Sequence, residues 1–149
     1  DMDVCQEMIE RSDEIKRLVV EEDPTEQGER ALLNFGHTLG HAVEKLKNFT
    51  MLHGHCVGLG CLSAAYISAR RGYISMEEVD TLKELMEAFG MPVSVSGLSV
   101  DEVIETTGND KKMDGGVIKF ILLESVGHAV IDRQVTADEM REGLSYILR

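Results

Sequence analysis

The chain has 149 residues, 43% of them apolar, with 15 basic and 27 acidic side chains and a formal net charge of −12. That length suits one domain with a real core, and that charge argues against nucleic acid or an anionic membrane as partner. Three cysteines without a C-x-x-C pair fit reduced thiols in the cytoplasm better than a disulfide framework, and no apolar run is long enough to span a bilayer.

The periodicity predicts a first helix over 3–21, with Val4, Met8, Ile15, Leu18 and Val19 on its apolar side. An acidic connection with Pro24 and Gly28 follows at 23–29. Residues 30–46 read as one helix. Leu32, Phe35, Leu39, Val43 and Leu46 form its core stripe, while Arg30, Asn34, His37, His41 and Glu44 recur on another face. Gly36 and Gly40 each cost about 1 kcal/mol relative to alanine in a helix interior. Two of them beside His37 imply that a neighbouring helix or a ligand approaches the backbone closely.

Asn48, Phe49 and Thr50 read as a connection, and a helix rich in small residues runs from Val57 to Arg71 with His53 and His55 at its entrance. Ser75 with Glu78, Ser99 with Glu102, and Thr136 with Glu139 have the spacing of capping boxes and open three further helices. Segments 117–124 and 129–135 read as an antiparallel hairpin around Ser125–His128, which leaves His128 on the surface. The expected fold is mainly α, a multi-helix domain with a small antiparallel β-hairpin.

Four of the five histidines lie between positions 37 and 55. Imidazole is the commonest metal ligand and titrates near neutrality, so the cluster can hold a divalent ion, move protons, or both. Taken alone, a His-x-x-x-His pair is more often structural, and His41 could equally be a hydrogen-bonded helix histidine. Cys56 beside His55 reads as a packing thiol in preference to a soft ligand. The residue types do not say which group would complete a metal site.

The run from Arg30 to Glu44 (RALLNFGHTLGHAVE), followed by Leu52-His53-Gly54, resembles the metal-site signature of 3-dehydroquinate synthases. Lys16, Val19, Val20, Asp23, Glu26, Gly28 and Arg30 resemble the approach to that signature. Asp110-Lys111-Lys112, Gly115, the stretch Lys119 to Leu123, and Gly127 resemble a later one. The similarity spans essentially the whole chain and is to the C-terminal, helical part of those enzymes. It implies a nucleotide-binding α/β half, and an acidic metal ligand, that would precede residue 1. The expectation is a C-terminal domain, 1–149, without its NAD-binding domain.

The resemblance further implies conversion of 3-deoxy-D-arabino-heptulosonate 7-phosphate to 3-dehydroquinate and phosphate, with NAD in the full-length parent and a divalent metal, zinc or cobalt. His37 and His53 take the positions of metal ligands. His41, Arg30 and Asn34 take catalytic positions. Lys16, Glu26, Arg30, Asn34 and one of Lys111 and Lys112, the second preferred, take substrate-binding positions. The expected partners are a small sugar phosphate and the missing domain. Apolar surface that would meet that domain could also pair two copies as a homodimer. Two positions depart from the pattern: His55 stands where the family usually has Glu or Asp, and Pro24 replaces the common acidic residue after Asp23. Alternatives are a related sugar-phosphate cyclase, a polyol dehydrogenase fragment, or a non-catalytic metal-binding domain. The isolated chain is expected to be inactive.

Overall fold

A computed structural model describes residues 1–25, 28–113 and 117–149, with the side chains of 109–113 outside the description. Glu26 and Gly115 therefore lie outside the described residues, and Lys111 and Lys112 are placed by backbone alone. The chain forms two compact units, 1–34 and 35–149. No described helix is long and apolar enough to cross a membrane.

The first unit contains helix α1 (Met2–Glu22) and a 3-10 helix, Glu29–Asn34. Asp1 caps α1 by accepting from the Asp3 backbone N–H at 3.0 Å. The expected apolar stripe is present but not buried: Val4, Met8, Ile15 and Leu18 are all exposed. The Asp23 carboxylate gathers the turn that follows, accepting from the backbone N–H groups of Gly28 at 2.7 Å and Arg30 at 3.2 Å.

The second unit contains α2 (His37–Leu46), α3 (His53–Arg70), α4 (Met76–Ala88), α5 (Val100–Met113), the hairpin β1 (Phe120–Ser125) and β2 (His128–Asp132), and α6 (Ala137–Ile147). The expected mainly helical domain with one antiparallel hairpin is observed. Helix α3 is its axis. It packs against α2, α4, α6 and β1 and buries Cys56, Leu59, Leu62, Ala64, Ala65 and Ile67. Small residues let it and α6 come close: a Cβ on Gly143 of α6 would lie 2.7 Å from Ser63 Oγ of α3.

Residues 30–46 are not one helix. The 3-10 turn ends at Asn34, and Gly36, with φ +79°, is the N-cap of α2. The reason is the approach of α3. A Cβ on Gly36 would meet the Cys61 backbone nitrogen at 2.5 Å and the Val57 carbonyl at 2.6 Å. The left-handed backbone also requires glycine. Arg30 and Asn34 therefore do not share a helix with the histidines, contrary to expectation. His37, His41 and Glu44 do share one, α2.

All three capping boxes form as read. Ser75, Ser99 and Thr136 accept from the N–H groups of Glu78, Glu102 and Glu139 at 3.1, 3.2 and 3.2 Å. The hairpin is shorter than expected, 120–125 and 128–132, with a two-residue turn at Val126-Gly127. Ahead of β1, the Lys119 carbonyl accepts from Thr38 Oγ1 at 2.8 Å instead of from a strand. Beyond β2, Asp132 Oδ1 turns the chain by accepting from the Gln134 N–H at 2.8 Å.

Arg71, directly after α3, ties the hairpin to α6. Its guanidinium donates to Asp132 at 2.6 Å and to both Glu139 oxygens, at 2.5 and 3.0 Å. The guanidinium, aided by the capping hydrogen bonds from Thr136, holds the Glu139 carboxyl down to about 2.

Gly60→Ala places a methyl group against the Gly36 carbonyl and lowers stability by about 3 kcal/mol. Gly108→Ala, where a Cβ meets no described atom within 4 Å, raises stability by roughly 0.5–1 kcal/mol. Urea unfolding reads both. Glu139→Gln keeps an oxygen for the capping box but loses the ion pair, at a cost of roughly 1–3 kcal/mol at neutral pH. The folded-state carboxyl titrates near 2 against an ordinary 4.5. The stability gap between parent and variant should thus be full above the ordinary value and close as pH falls toward 2. A gap that persists at the acid end contradicts the pairing.

Candidate metal centre

The site is built by the α2–α3 helical hairpin. Asn48 and Phe49 both have left-handed backbones, with φ of +51° and +56°. They reverse the chain at a cost of about 1–2 kcal/mol for each non-glycine residue so held. His37 opens α2 and His53 opens α3. Antiparallel helices would ordinarily put two such positions at opposite ends. Here the two helices cross closely through their glycines. A Cβ on Gly40 would lie 2.8 Å from the Cys56 carbonyl, so the first turn of α3 lies against the middle of α2.

Three imidazoles meet there. Ring centroids are 5.1 Å apart for His37 and His41, 5.8 Å for His37 and His53, and 5.6 Å for His41 and His53. One ligand nitrogen from each lies within 4.8 Å of the others. Two nitrogens on one tetrahedral zinc are about 3.3 Å apart, so small side-chain rotations would gather them. Neutral imidazoles suit a borderline divalent ion such as zinc or cobalt. The donor set fits such an ion.

The three rings are not equivalent. His37 Nδ1 faces the Phe35 carbonyl at 3.3 Å. A carbonyl only accepts, so Nδ1 carries the proton and Nε2 keeps its lone pair. His53 Nδ1 faces both oxygens of Glu44, at 3.2 and 3.1 Å. His41 has ring contacts but no hydrogen bond among the described residues. Its proton affinity is lowered, first by lost hydration and then by its imidazole neighbours His37 and His53. The side chain is nonetheless exposed over much of its surface. Water thus screens both effects.

His55 is half-buried and is not one of the clustered ligand groups. The Cys56 thiol is fully buried, and burial pushes its pKa up. Cys61 is pushed up to about 11 by burial and donates to the same Phe35 carbonyl at 3.4 Å. Both remain protonated, which makes them poor ligands and agrees with reading Cys56 as a packing thiol.

In the first unit, Lys16 is exposed on α1 without an ion pair or hydrogen bond among the described residues. The Arg30 guanidinium donates to the Pro24 carbonyl at 2.8 Å. Asn34 ends the 3-10 helix. Lys111 and Lys112 lie in the last turn of α5. Two participants went unassigned in the sequence. Glu44 is visible by its i+3 spacing from His41, but spacing alone does not reveal its contact with His53. The Phe35 carbonyl is a main-chain atom that no residue type reveals.

Residues 1–113 match the family model for the 3-dehydroquinate synthase C-terminal region. The chain belongs to that family. It is 41% identical over 146 residues to the 3-dehydroquinate synthase of Nitrosospira multiformis, and 37% identical over 145 residues to that of Acinetobacter baumannii. Each alignment covers 97% of this chain but 40% of the relative, so the chain spans about two fifths of those enzymes. The fold is similar to 2-epi-5-epi-valiolone synthase from Streptomyces hygroscopicus, solved with NAD+ and Zn2+ (TM-score 0.76, 23% identity, 85% of this chain and 35% of that one). It is also similar to a 2-deoxy-scyllo-inosose synthase solved with carbaglucose-6-phosphate, NAD+ and Co2+ (TM-score 0.73, 25% identity, 87% and 37%).

The geometry predicts that His41, followed by NMR in the metal-free chain, takes up its proton below the ordinary imidazole value of about 6.5. His37→Ala should move that midpoint upward by removing one like-charged neighbour. A midpoint above the ordinary value would contradict the arrangement.

Proposed function

We propose that this chain is the metal- and substrate-binding part of a 3-dehydroquinate synthase. In this reading it converts 3-deoxy-D-arabino-heptulosonate 7-phosphate to 3-dehydroquinate and phosphate together with an NAD-binding domain. The observation that carries the reading is the convergence of His37, His41 and His53, in a chain 41% identical to a synthase of that name. The identities at 37–41% to synthases favour this substrate over those of the cyclases that share the fold at 23–25%.

A divalent metal held by the cluster would supply Lewis-acid polarisation of a substrate hydroxyl. His37 and His53 hold the metal in this reading, because each has its Nδ1 occupied and its Nε2 free. His41 has the opposite properties: no hydrogen bond among the described residues and a lowered proton affinity. An imidazole that stays neutral and can turn is suited to accept and return a proton near neutral pH. Arg30 and Lys16 supply positive charge for a carboxylate or phosphate, which their planar fork and ammonium recognise. Asn34 orients a hydroxyl. Lys112, or Lys111 beside it, and Glu26 complete the substrate contacts. The cytoplasm is the proposed location, where its reduced cysteines would persist.

The chain spans about two fifths of the synthases it matches, and this scheme assigns the redox half to the NAD-binding domain. Purified, with NAD, zinc and the sugar phosphate supplied, the chain alone should give no measurable turnover, yet it should bind zinc or cobalt by calorimetry. His37→Ala or His53→Ala should each weaken that binding by about 100-fold or more, and His41→Ala by much less. Vigorous turnover by the chain alone would contradict the division of labour. Binding indifferent to His37 and His53 would contradict the ligand assignment.

A further inference from the structure

His53 is the most exposed member of the cluster's hydrogen-bonded pairs, with 55% of its side chain accessible, whereas the Glu44 side chain is 15% accessible. A carboxylate that far withdrawn from water needs a partner. No lysine or arginine pairs with it among the described residues, and its side-chain hydrogen bonds go to His53 alone. Both carboxylate oxygens lie within 3.2 Å of Nδ1, so the ring is held from one side by a forked acceptor. Glu44 is itself fixed by its place on α2, one turn beyond His41, on a helix that the glycine crossing locks against α3.

We propose that Glu44 is a positioning residue: its carboxylate fixes His53 as the Nδ1–H tautomer and aims the Nε2 lone pair at the point shared with His37 and His41. The inference rests on the metal reading above for its purpose, though not for its geometry. An exposed imidazole in water samples both tautomers and several rotamers. Only the Nε2-lone-pair form at one rotamer can serve the cluster. Removing the acceptor therefore releases both freedoms, and outer carboxylate partners of histidine ligands typically change metal affinity by about 10–100-fold. The Phe35 carbonyl performs the same task for His37 with a main-chain atom. Mutation can thus reach this support only on the His53 side.

The test uses nitrogen-15 NMR of the histidine rings and cobalt titration on the same samples, near pH 8 where imidazoles are neutral. In the parent chain His53 should show a protonated Nδ1 and a bare Nε2. In Glu44→Ala its shifts should move toward the Nε2–H form, with those of His37 unchanged, and cobalt affinity should fall about 10–100-fold. Glu44→Gln retains an acceptor oxygen, so it should keep the tautomer and lose less affinity. It also covers the case in which the alanine variant does not fold. His53 found as Nε2–H in the parent, or unchanged in shifts and cobalt affinity in Glu44→Ala, overturns the proposal. Should the parent bind no cobalt, the metal reading falls, and the nitrogen shifts still decide the role of Glu44.

Discussion

The site depends on backbone meeting backbone at the crossing of α2 and α3. Gly36, Gly40 and Gly60 remove the side chains that would separate the two helices. The first turn of α3 can then lie against the middle of α2, and His53 comes within reach of both His37 and His41. A single methyl group at any of the three glycines would collide with main-chain atoms of the opposite segment. Such atoms cannot yield as a flexible side chain can. The glycines lower helix propensity locally, and the fold recovers that loss through close contact.

Around this crossing the protein distributes rigidity unevenly. His37 and His53 are each tied through Nδ1, one to a carbonyl and one to a carboxylate. His41 is tied to neither. A metal ligand gains from a fixed ring, because the entropy of orientation is lost before binding. A proton carrier gains from a ring that can turn and from an affinity poised near ambient pH. In the proposed function, the same residue type serves two chemistries through its partners. The thiols nearby take no part, since burial keeps Cys56 and Cys61 protonated.

Much of the fold was legible before any coordinates. The capping boxes at Ser75, Ser99 and Thr136 are short-range devices whose two partners are three residues apart, so local spacing suffices to find them. The hairpin is legible in the alternation and its turn, but its strand ends are not. Those ends are decided by Thr38 and Asp132, whose bonds are respectively tertiary and local to a turn. The helix drawn through 30–46 failed because periodicity treats glycine as a cost to be averaged. At Gly36 the approach of Val57 and Cys61 makes glycine a stop. The apolar stripe of α1 was also read correctly as a pattern, yet its residues are exposed, since periodicity reports amphipathicity and not what covers it.

Residue order by itself determined the family, the helical character and the identity of the imidazoles, because each is written in spacing or in residue type. The tertiary structure alone decided that His41 joins His37 and His53 in one cluster, that Glu44 supports His53, and that a main-chain oxygen supports His37. Those facts arise where two helices touch, over distances of a few ångströms between residues many positions apart. No local pattern encodes a distance that only the packing of the whole unit sets.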